Sequence, residues 1–565
     1  MKCSKSLKYV SRGLLALVSF LLLSVIIVLV TGLVLLKSAD YREPEMKIDR
    51  NDYPLSLKTD SLRICGDNYL LCHPSGLWEG YVSGIPKERG AVLGVLGEDL
   101  IYHQEKVFVD QIREFVPSDF YLGFLRALIE IFNRHMAENI PEEYLEEIYA
   151  MSLFATHEYD VFGNPYERQL NYHAAHDIGH ALQEYMLVGC SSFGVWNESS
   201  ADGALLLGRN FDFYVGEAFA KNKVVLFMEP ENGFRFASVT WPGMIGVVSG
   251  MNEKGLTVTI NAAKGPIPLS SAMPVSLLVR QILQYASNID EAYQIAAAFP
   301  TFVSEAIMVG SAEDGRVSII EKTPEVIDLY APENVSRVIC TNHYQGKALS
   351  DEAYNLENLA VSDSRYRYER LNELVREKLP LSVEDAAAIL RDRWGKAGED
   401  VGLGNEMTVN QSIAHHSVIF QPEELKMWVS TSPWQSGPML CYDLNEIFRG
   451  DGTSFSSHAI DSLSLPADTL FMENDYSRVM AYRDFCTFVK SSGPEFIGVD
   501  EEMIRGFLRI NPDYFETYEI AGDYYLSRGE QERAVRYWQT ALGKALPRMT
   551  YRDRITEKIE RYDKK

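Results

Sequence analysis

The chain has 565 residues, a formal net charge of −25 at pH 7 and 46% hydrophobic residues. This length leaves room for about two to four domains, and the apolar content suffices for a substantial core. The acidic balance argues against nucleic acid or an anionic membrane as a partner for the bulk of the protein, because such partners attract basic surfaces. The acidic surface indicates solubility.

The N-terminal region predicts a membrane anchor. Residues 13–36 are apolar and uncharged over 24 positions, enough for a helix to cross a bilayer core of about 30 Å. Basic side chains concentrate within residues 1–12, so the positive-inside rule places that segment in the cytoplasm and the catalytic part in the periplasm or outside the cell. We expect residues 37–58 to be a polar tether. A cleaved signal peptide is the alternative, although its apolar core is typically about 7–15 residues long.

Residues 59–189 predict a globular segment upstream of the main domain. Within it, Cys65 and Cys72 lie close enough in sequence for a small disulfide loop in an oxidising compartment. Free thiols are the equal alternative.

The same segment carries three histidines at helical spacing. His173, His176 and His180 would share one face of a helix, as a zinc site requires. The usual zinc-protease motif has Glu after its first histidine, whereas Asp177 follows His176. A structural role or a place beside the substrate cleft is therefore favoured over metal binding.

Residues 190–460 predict the main domain, which begins with a hairpin. A strand over 191–196 and a returning strand over 204–213 are separated by a polar turn. The returning strand carries Arg209 and Asp212, whose spacing places them on opposite faces unless a bulge intervenes.

Cys190 fits a nucleophile that becomes a new N-terminus when the peptide bond after Gly189 is broken. A thiol with a pKa near ~8.5 needs a base, and a freed α-amine with a pKa of about 7.7–8.0 can supply it. Gly189 lacks a Cβ, so it can adopt the strained turn expected at a cleavage site. Arg209 would lower the pKa of the thiol, and Asp212 would hold the α-ammonium group. Taken in isolation, Cys190 is more readily interpreted as a small buried apolar residue, and its neighbours reverse that preference.

Four further stretches follow the hairpin in a characteristic order: Met251–Asn261, Thr341–His343, Ser364–Tyr366, and Ser417–Pro422 with Met427–Ser430. Together with Cys190 they resemble the cysteine N-terminal-nucleophile hydrolases, which include choloylglycine (bile salt) hydrolase, penicillin V acylase and acid ceramidase. The resemblance is greatest to the isopenicillin-N acyltransferase-like family (acyl-coenzyme A:6-aminopenicillanic acid acyltransferase). It runs from about Gly76 to about Ser432.

The resemblance implies a fold and a set of roles. The fold would be α+β, a four-layer αββα sandwich. Asn261 would contribute to the oxyanion site, Asn342 would be the other oxyanion or self-cleavage residue, and Arg365 would join the charge network around Cys190. The precursor would cut itself, and residues 59–189 would stay bound as a subunit.

Residues 474–565 predict a helical C-terminal region. The spacing of eight residues fits one tetratricopeptide repeat: Tyr518, Ala521, Gly522, Tyr525, Ala534, Trp538, Ala541 and Pro547. One repeat cannot form a binding solenoid, so packing on the enzyme is favoured over a docking platform.

The sequence thus predicts a membrane-anchored, self-cleaving cysteine amidohydrolase or acyltransferase. It would act on small N-acyl amides or acyl thioesters through an acyl-cysteine intermediate, with no cofactor and no nucleic acid. One alternative is a metal-dependent hydrolase that uses His173, His176 and His180. The other is a catalytically silent, membrane-tethered binding protein.

Overall fold

A computed structural model describes residues 43–115, 118–175, 177, 188–213, 216–450 and 455–563. The strands are β1 Leu57–Lys58, β2 Leu62–Cys65, β3 Asn68–Cys72, β4 Trp78–Gly84, β5 Val188–Val195, β6 Leu206–Phe213, β7 Val224–Pro230, β8 Phe236–Thr240, β9 Ser249–Asn252, β10 Leu256–Ala262, β11 Glu305–Ser311, β12 Arg316–Lys322, β13 Ile327–Tyr330, β14 Arg337–Cys340, β15 His416–Gln421, β16 Lys426–Ser430 and β17 Met439–Asp443.

The helices are α1 Pro86–Phe115, α2 Asp119–Phe132, α3 Glu142–Ser152, α4 Pro165–His173, α5 Val275–Tyr285, α6 Ile289–Ala298, α7 Ala353–Val361, α8 Ser364–Lys378, α9 Val383–Leu390, α10 Leu444–Arg449, α11 Thr469–Asn474, α12 Tyr476–Ser492, α13 Glu501–Ile510, α14 Phe515–Ser527, α15 Gln531–Leu542 and α16 Met549–Tyr562.

The strands form two sheets. The large sheet has the order β1-β2-β3-β4-β7-β8-β9-β10-β11-β12-β13, and the small sheet has the order β14-β5-β6-β15-β16-β17. The sheets face each other, since β10 and β12 contact β5. Helices α1, α5 and α6 cover the outer side of the large sheet, and α8 and α9 cover the outer side of the small sheet. The predicted α+β class is confirmed, with four layers in the order αββα.

The central strands of the large sheet are buried on both faces. Every residue of Leu256–Ala262 and of Glu305–Ser311 is buried. Both faces of these strands lie against another layer, so even the alternating Thr257, Thr259 and Asn261 are buried.

The upstream segment is part of the same folding unit as the main domain. Strands β1–β4 extend the large sheet, and β4 pairs in parallel with β7 from Trp78 against Val224 to Gly84 against Pro230. The predicted limit between residues 59–189 and 190–460 therefore does not separate two cores.

Cys65 and Cys72 are both free thiols. In the β2–β3 hairpin, Cys65 lies beside the turn, opposite Asn68, whereas Cys72 lies beyond Leu71, the partner of Leu62. The two cysteines are thus at opposite ends of the hairpin, so the possible disulfide is not formed. At about 3.4 Å per strand residue, they are too far apart to be bridged.

Two helices cover residues 275–298. The chain breaks between α5 and α6, where the Asn288 side chain caps the second helix by accepting a hydrogen bond from the Glu291 backbone N–H. Asparagine at an N-cap satisfies a backbone donor that would otherwise lack a partner.

The C-terminal region is helical from α11 to α16, as predicted. Helices α14 and α15 pack so closely that a Cβ on Gly522 would lie 2.4 Å from the Trp538 ring. Ala521, Tyr525 and Ala534 are buried beside them. The helical hairpin exists, and its assignment as a tetratricopeptide repeat stays a prediction.

The predicted anchor over 13–36 lies outside the described residues. None of the helices in the described part of the chain has the length and continuous apolar character that a bilayer span requires.

Candidate active site

Cys190 is an internal residue of the small sheet. It lies in β5 directly opposite Phe211 of β6, and the pairing of these strands is uninterrupted from Gly189 against Asp212 to Val195 against Leu206. Its side chain is fully buried. The predicted hairpin is therefore formed, and it has no bulge.

Arg209 lies on the same face of the hairpin as Cys190, which we call the inner face because it points to the large sheet. Its Nη2 lies 3.6 Å from the Cys190 Sγ. Its Nη1 donates to the Val248 carbonyl at 3.0 Å and to the Ser249 Oγ at 2.6 Å, and its Nη2 also donates to the Ile260 carbonyl. These contacts with β9 and β10 fix the guanidinium group beside the sulfur.

Burial and a nearby cation shift the pKa of the Cys190 thiol in opposite directions. Burial raises the pKa of Cys190, and the charge of Arg209 opposes that rise. A cation at this distance favours the thiolate, the form that acts as a nucleophile. Behind Arg209, the Nε2 of the buried His416 lies 2.9 Å from the Ser249 Oγ. Sequence reasoning missed this support because it joins residues 167 positions apart.

Asp212 lies on the opposite, outer face of the hairpin, next to Gly189. It is fully buried, and neither carboxylate oxygen has a hydrogen-bond partner among the described residues. Burial raises the pKa of Asp212 to about 8, against the lowering influence of Arg367 and Arg209. The continuous chain thus holds a carboxyl group without a hydrogen-bond partner among the described residues beside the predicted cleavage point.

Asn342 holds the backbone nitrogen of Cys190. The last paired residue of β14, Cys340, is opposite Ser192, so Asn342 continues along the strand to a position beside Cys190. Its Oδ1 accepts a hydrogen bond from the Cys190 N–H at 3.0 Å. Its Nδ2 donates to the Ala262 carbonyl at 2.8 Å, which leaves one N–H for another acceptor.

Asn261 connects the two sheets through hydrogen bonds. Its Nδ2 donates to the carbonyls of Cys340 and Thr341 at 3.1 and 3.2 Å, and its Oδ1 accepts from the Ser192 Oγ at 2.9 Å. Both amide N–H groups are thereby engaged. Of the two asparagines, Asn342 is the better placed to meet an oxyanion, and this role stays a prediction for both.

The arginine of helix α8 that enters the site is Arg367. Its Nη1 donates to the Cys190 carbonyl at 2.6 Å, and its Nη2 donates to the Asn342 Oδ1 at 2.7 Å. Its Nε is paired with Asp363 at 2.5 Å. Arg367 thus joins the nucleophile residue to the asparagine that holds it.

The prediction for Arg365 is therefore wrong in position. Its side chain is 68% exposed and pairs with Glu369 on the surface. Two residues of a helix are about 200° apart around the axis, so Arg365 and Arg367 point in opposite directions. The buried Ser364, Arg367 and Leu371 follow helical spacing, and this periodicity could have identified the inward arginine.

Gly189 is also explained differently from the prediction. It lies in regular paired strand rather than in a strained turn. A Cβ at this position would lie 2.8 Å from the Gln411 Nε2, so close packing excludes a side chain here.

Of the three predicted histidine ligands, the structure describes His173. His173 is buried; its Nδ1 is 2.7 Å from the Gln169 carbonyl, and its Nε2 accepts from the Ile245 N–H at 3.0 Å. Burial lowers the pKa of His173 to about 4. His176 and His180 lie outside the described residues. Among those that are described, no three His, Cys, Asp or Glu side chains converge on a possible metal position.

Aromatic rings lead from the nucleophile to a cleft. Phe211 stacks on Phe213 with ring centres 5.6 Å apart, and Phe213 stacks on Trp241 at 6.1 Å. Beyond them lies a small cleft whose lining is mainly apolar and includes Ile101, Phe108, Phe213, Phe219, Trp241 and Met244. Such a cleft suits an apolar group of a small molecule.

Comparison with known proteins gives one family match. Residues 196–432, less than half of the chain, match the model of the family described as acyl-coenzyme A:6-aminopenicillanic acid acyl-transferase. The predicted resemblance to that family is confirmed over this stretch.

Two curated proteins are similar. One, from Archaeoglobus fulgidus and described as uncharacterized, is 26% identical over 404 residues, covering 64% of this chain and 65% of the relative. Protein dcd1B of Dictyostelium discoideum is 25% identical over 237 residues, covering 39% of this chain and 45% of the relative. The chain thus matches less than two thirds of the length of either.

Three solved structures are also similar. A Caenorhabditis elegans N-acylethanolamine-hydrolyzing acid amidase orthologue is 16% identical with a TM-score of 0.31, covering 41% of this chain and 93% of that one. A conjugated bile acid hydrolase of Clostridium perfringens is 13% identical with a TM-score of 0.32, covering 48% of this chain and 96% of that one. A penicillin V acylase of Agrobacterium tumefaciens is 10% identical with a TM-score of 0.31, covering 46% of this chain and 87% of that one.

Proposed function

We propose that the protein is a self-cleaving cysteine amidohydrolase or acyltransferase whose nucleophile is Cys190. The observation that carries this proposal is the set of contacts on one residue. The backbone nitrogen of Cys190 is held by Asn342, its carbonyl by Arg367, and its sulfur lies beside Arg209. Two of these contacts satisfy backbone groups that any buried residue must pair, so the distinctive contact is the guanidinium group beside the sulfur, which a purely structural cysteine does not need.

Self-cleavage would begin with attack of the Cys190 sulfur on the Gly189 carbonyl carbon. The C–N bond breaks, the nitrogen takes the thiol proton, and a thioester joins Gly189 to the sulfur. Water then hydrolyses the thioester, which yields the Gly189 carboxylate, the free thiol and a free α-amine on Cys190. Asp212, now beside an ammonium group, would gain the counter-charge that the continuous chain denies it.

Turnover would use the same residue. The sulfur attacks the carbonyl of a substrate, the α-amine takes the thiol proton and returns it to the leaving group, and water or an amine then releases the acyl group. Asn342 has one N–H left for the developing oxyanion. Arg209 would favour the thiolate.

The two fragments would stay associated after cleavage. Residues 59–189 contribute strands to the large sheet, and every residue of Trp78–Val82 is buried. Removing this segment would expose an apolar edge, which is unfavourable by about 25 cal/mol for each Å².

We propose small N-acyl amides or acyl thioesters as substrates, because the matched family is described by acyl transfer and the aromatic cleft can accept an apolar acyl group. We further propose that residues 13–36 anchor the chain and that the catalytic part lies outside the cytoplasm, on the basis of the apolar run and its basic N-terminal flank.

The test uses a panel of N-acyl amino acids, acylated β-lactam nuclei and lipid amides. The wild-type protein should release free acid or transfer the acyl group, and iodoacetamide should inactivate it. The variant Cys190→Ala should show neither self-cleavage nor turnover. Turnover that persists in Cys190→Ala would refute the proposal.

A further inference from the structure

A loop between helix α9 and strand β15 connects the predicted cleavage point to the C-terminal helices. We call residues 401–412 the bridging loop. It is largely buried, and Asn405, Thr408 and Asn410 are fully buried. The asparagine and threonine side chains hold the loop internally: Asn405 Nδ2 donates to the Val401 carbonyl at 2.7 Å, and Thr408 Oγ1 donates to the Asn410 carbonyl at 2.9 Å.

The end of the bridging loop lies against the outer face of the hairpin. The Gln411 side chain occupies the space that a Cβ on Gly189 would need, with its Nε2 2.8 Å from that position. Gln411 is 3% exposed, and its Nε2 has no hydrogen-bond partner among the described residues. Two positions earlier, the Val409 carbonyl accepts from the Asn210 Nδ2 of β6 at 3.0 Å. An amide donor is thus set beside the peptide that is to be cut.

The start of the bridging loop is fastened to α13 and α14. The Leu403 N–H donates to the Asn511 Oδ1 at 3.0 Å, and the Asn511 Nδ2 donates back to the Leu403 carbonyl at 2.9 Å. A Cβ on Gly402, which has a φ of +90°, would lie 2.6 Å from the Tyr514 backbone. This close approach excludes any other residue at position 402.

A second fastening involves α16. Glu406 is 6% exposed, and its carboxylate accepts from the Arg548 Nε at 2.5 Å and from the Tyr551 hydroxyl at 2.6 Å. A buried carboxylate that loses its cation is strongly unfavourable, so this pair fixes the loop more firmly than an exposed pair would. At the other end of the loop, Arg483 of α12 donates to the Ser412 carbonyl.

We propose that the C-terminal helical region is a working part of the active site. Through Arg548, which binds Glu406, and through Asn511, which binds Leu403, it holds the bridging loop so that Gln411, a positioning residue, fixes the Gly189–Cys190 peptide in the geometry for self-cleavage. This inference rests on the proposed self-cleavage. It also assigns a role to residues beyond 432, which the family match does not reach.

The experiment follows cleavage of the full chain during cell-free synthesis with phosphatidylcholine vesicles, by gel electrophoresis over time. Gln411→Met keeps the length of the side chain and removes the amide donor. We expect it to slow cleavage by roughly 10–100-fold, because small misplacements of reacting groups have effects of that size. Arg548→Ala should slow cleavage similarly, and Arg548→Lys should restore most of the rate. As the matched control, Arg552→Ala changes an exposed arginine of α16 and should be cleaved at the wild-type rate.

The melting temperature of each uncut chain, measured in the Cys190→Ala background, separates positioning from general damage. If Arg548→Ala fails to fold, Gln411→Met decides the question, since it changes no backbone anchor. Wild-type cleavage rates in both Gln411→Met and Arg548→Ala would overturn the inference. A wild-type chain that never cuts would instead refute the proposed function, and the inference with it.

Discussion

The inner and outer faces of the β5–β6 hairpin differ in how their polar groups are satisfied. On the inner face, Nη1 and Nη2 of Arg209 donate to two carbonyls and a hydroxyl, and Nη2 lies beside the sulfur; only its Nε has no partner among the described residues. On the outer face, both carboxylate oxygens of Asp212 and the Gln411 Nε2 are buried without hydrogen-bond partners among the described residues. Buried polar groups without partners are unfavourable and commonly mark functional sites. The comparison indicates that the inner face already orients a cation toward the thiol, whereas the proposed cleavage would supply Asp212 on the outer face with a partner.

The largest effect should come from Arg367, the arginine of α8 that holds the Cys190 carbonyl. Arg367→Met leaves Asp363 buried without its cation and the Cys190 carbonyl without its donor, so we expect a loss of about 3–5 kcal/mol in the free energy of unfolding, with self-cleavage also slowed. Denaturant unfolding of the uncut Cys190→Ala protein measures the first effect. Arg365→Met is the matched control and should stay within about 0.5 kcal/mol of the parent. If the two substitutions had equal effects, the role assigned to Arg367 in the site would be wrong.

The asparagine at the edge of the hairpin should affect chemistry more than stability. Asn342→Ala removes the acceptor for the Cys190 nitrogen and the remaining oxyanion donor, and kcat should fall by roughly 10²–10³-fold. Steady-state kinetics on the best N-acyl substrate provides the measurement. A normal kcat with an altered KM alone would mean that Asn342 only shapes the substrate pocket.

The buried Asp212 on the outer face leads us to predict that the stability of the uncut chain depends on pH. The pKa of Asp212 is raised to about 8 in the folded chain, above the usual value of about 3.9 for an unfolded aspartate. The folded state then binds more protons between these values, so the stability of the uncut chain falls as pH rises from about 4 to 8. Asp212→Asn in the Cys190→Ala background should therefore raise the melting temperature at pH 7.5 and leave it unchanged at pH 4. An equal shift at both pH values would contradict the assignment.

The smallest expected effect is that of a chelator. Both ring nitrogens of His173 lie within hydrogen-bond distance of backbone groups, so we expect EDTA to leave kcat unchanged. Activity that disappears with EDTA and returns with zinc would instead favour the metal-dependent alternative.

Local patterns predicted what depends on neighbours along the chain. The hairpin around Cys190 and the strand that carries Arg209 follow from alternation and turn residues. The identity of the inward arginine on α8 required the helical period, which separates Arg365 from Arg367. Patterns of neighbouring residues did not predict features that depend on contacts between elements far apart in the sequence.

Three such cases are clear. The strands of 59–189 enter the large sheet through the parallel pairing of β4 with β7, a long-range contact that no local pattern specifies. The need for glycine at 189 comes from Gln411, which lies 222 positions away in the sequence. The free state of Cys65 and Cys72 depends on the register of their hairpin.

The most direct test of the central claim is the N-terminal sequence and intact mass of the purified active protein. We predict two associated chains, one of which begins with Cys190-Ser191-Ser192-Phe193-Gly194, and a single uncut chain for Cys190→Ala. A fully active wild-type protein that remains one polypeptide would contradict the account.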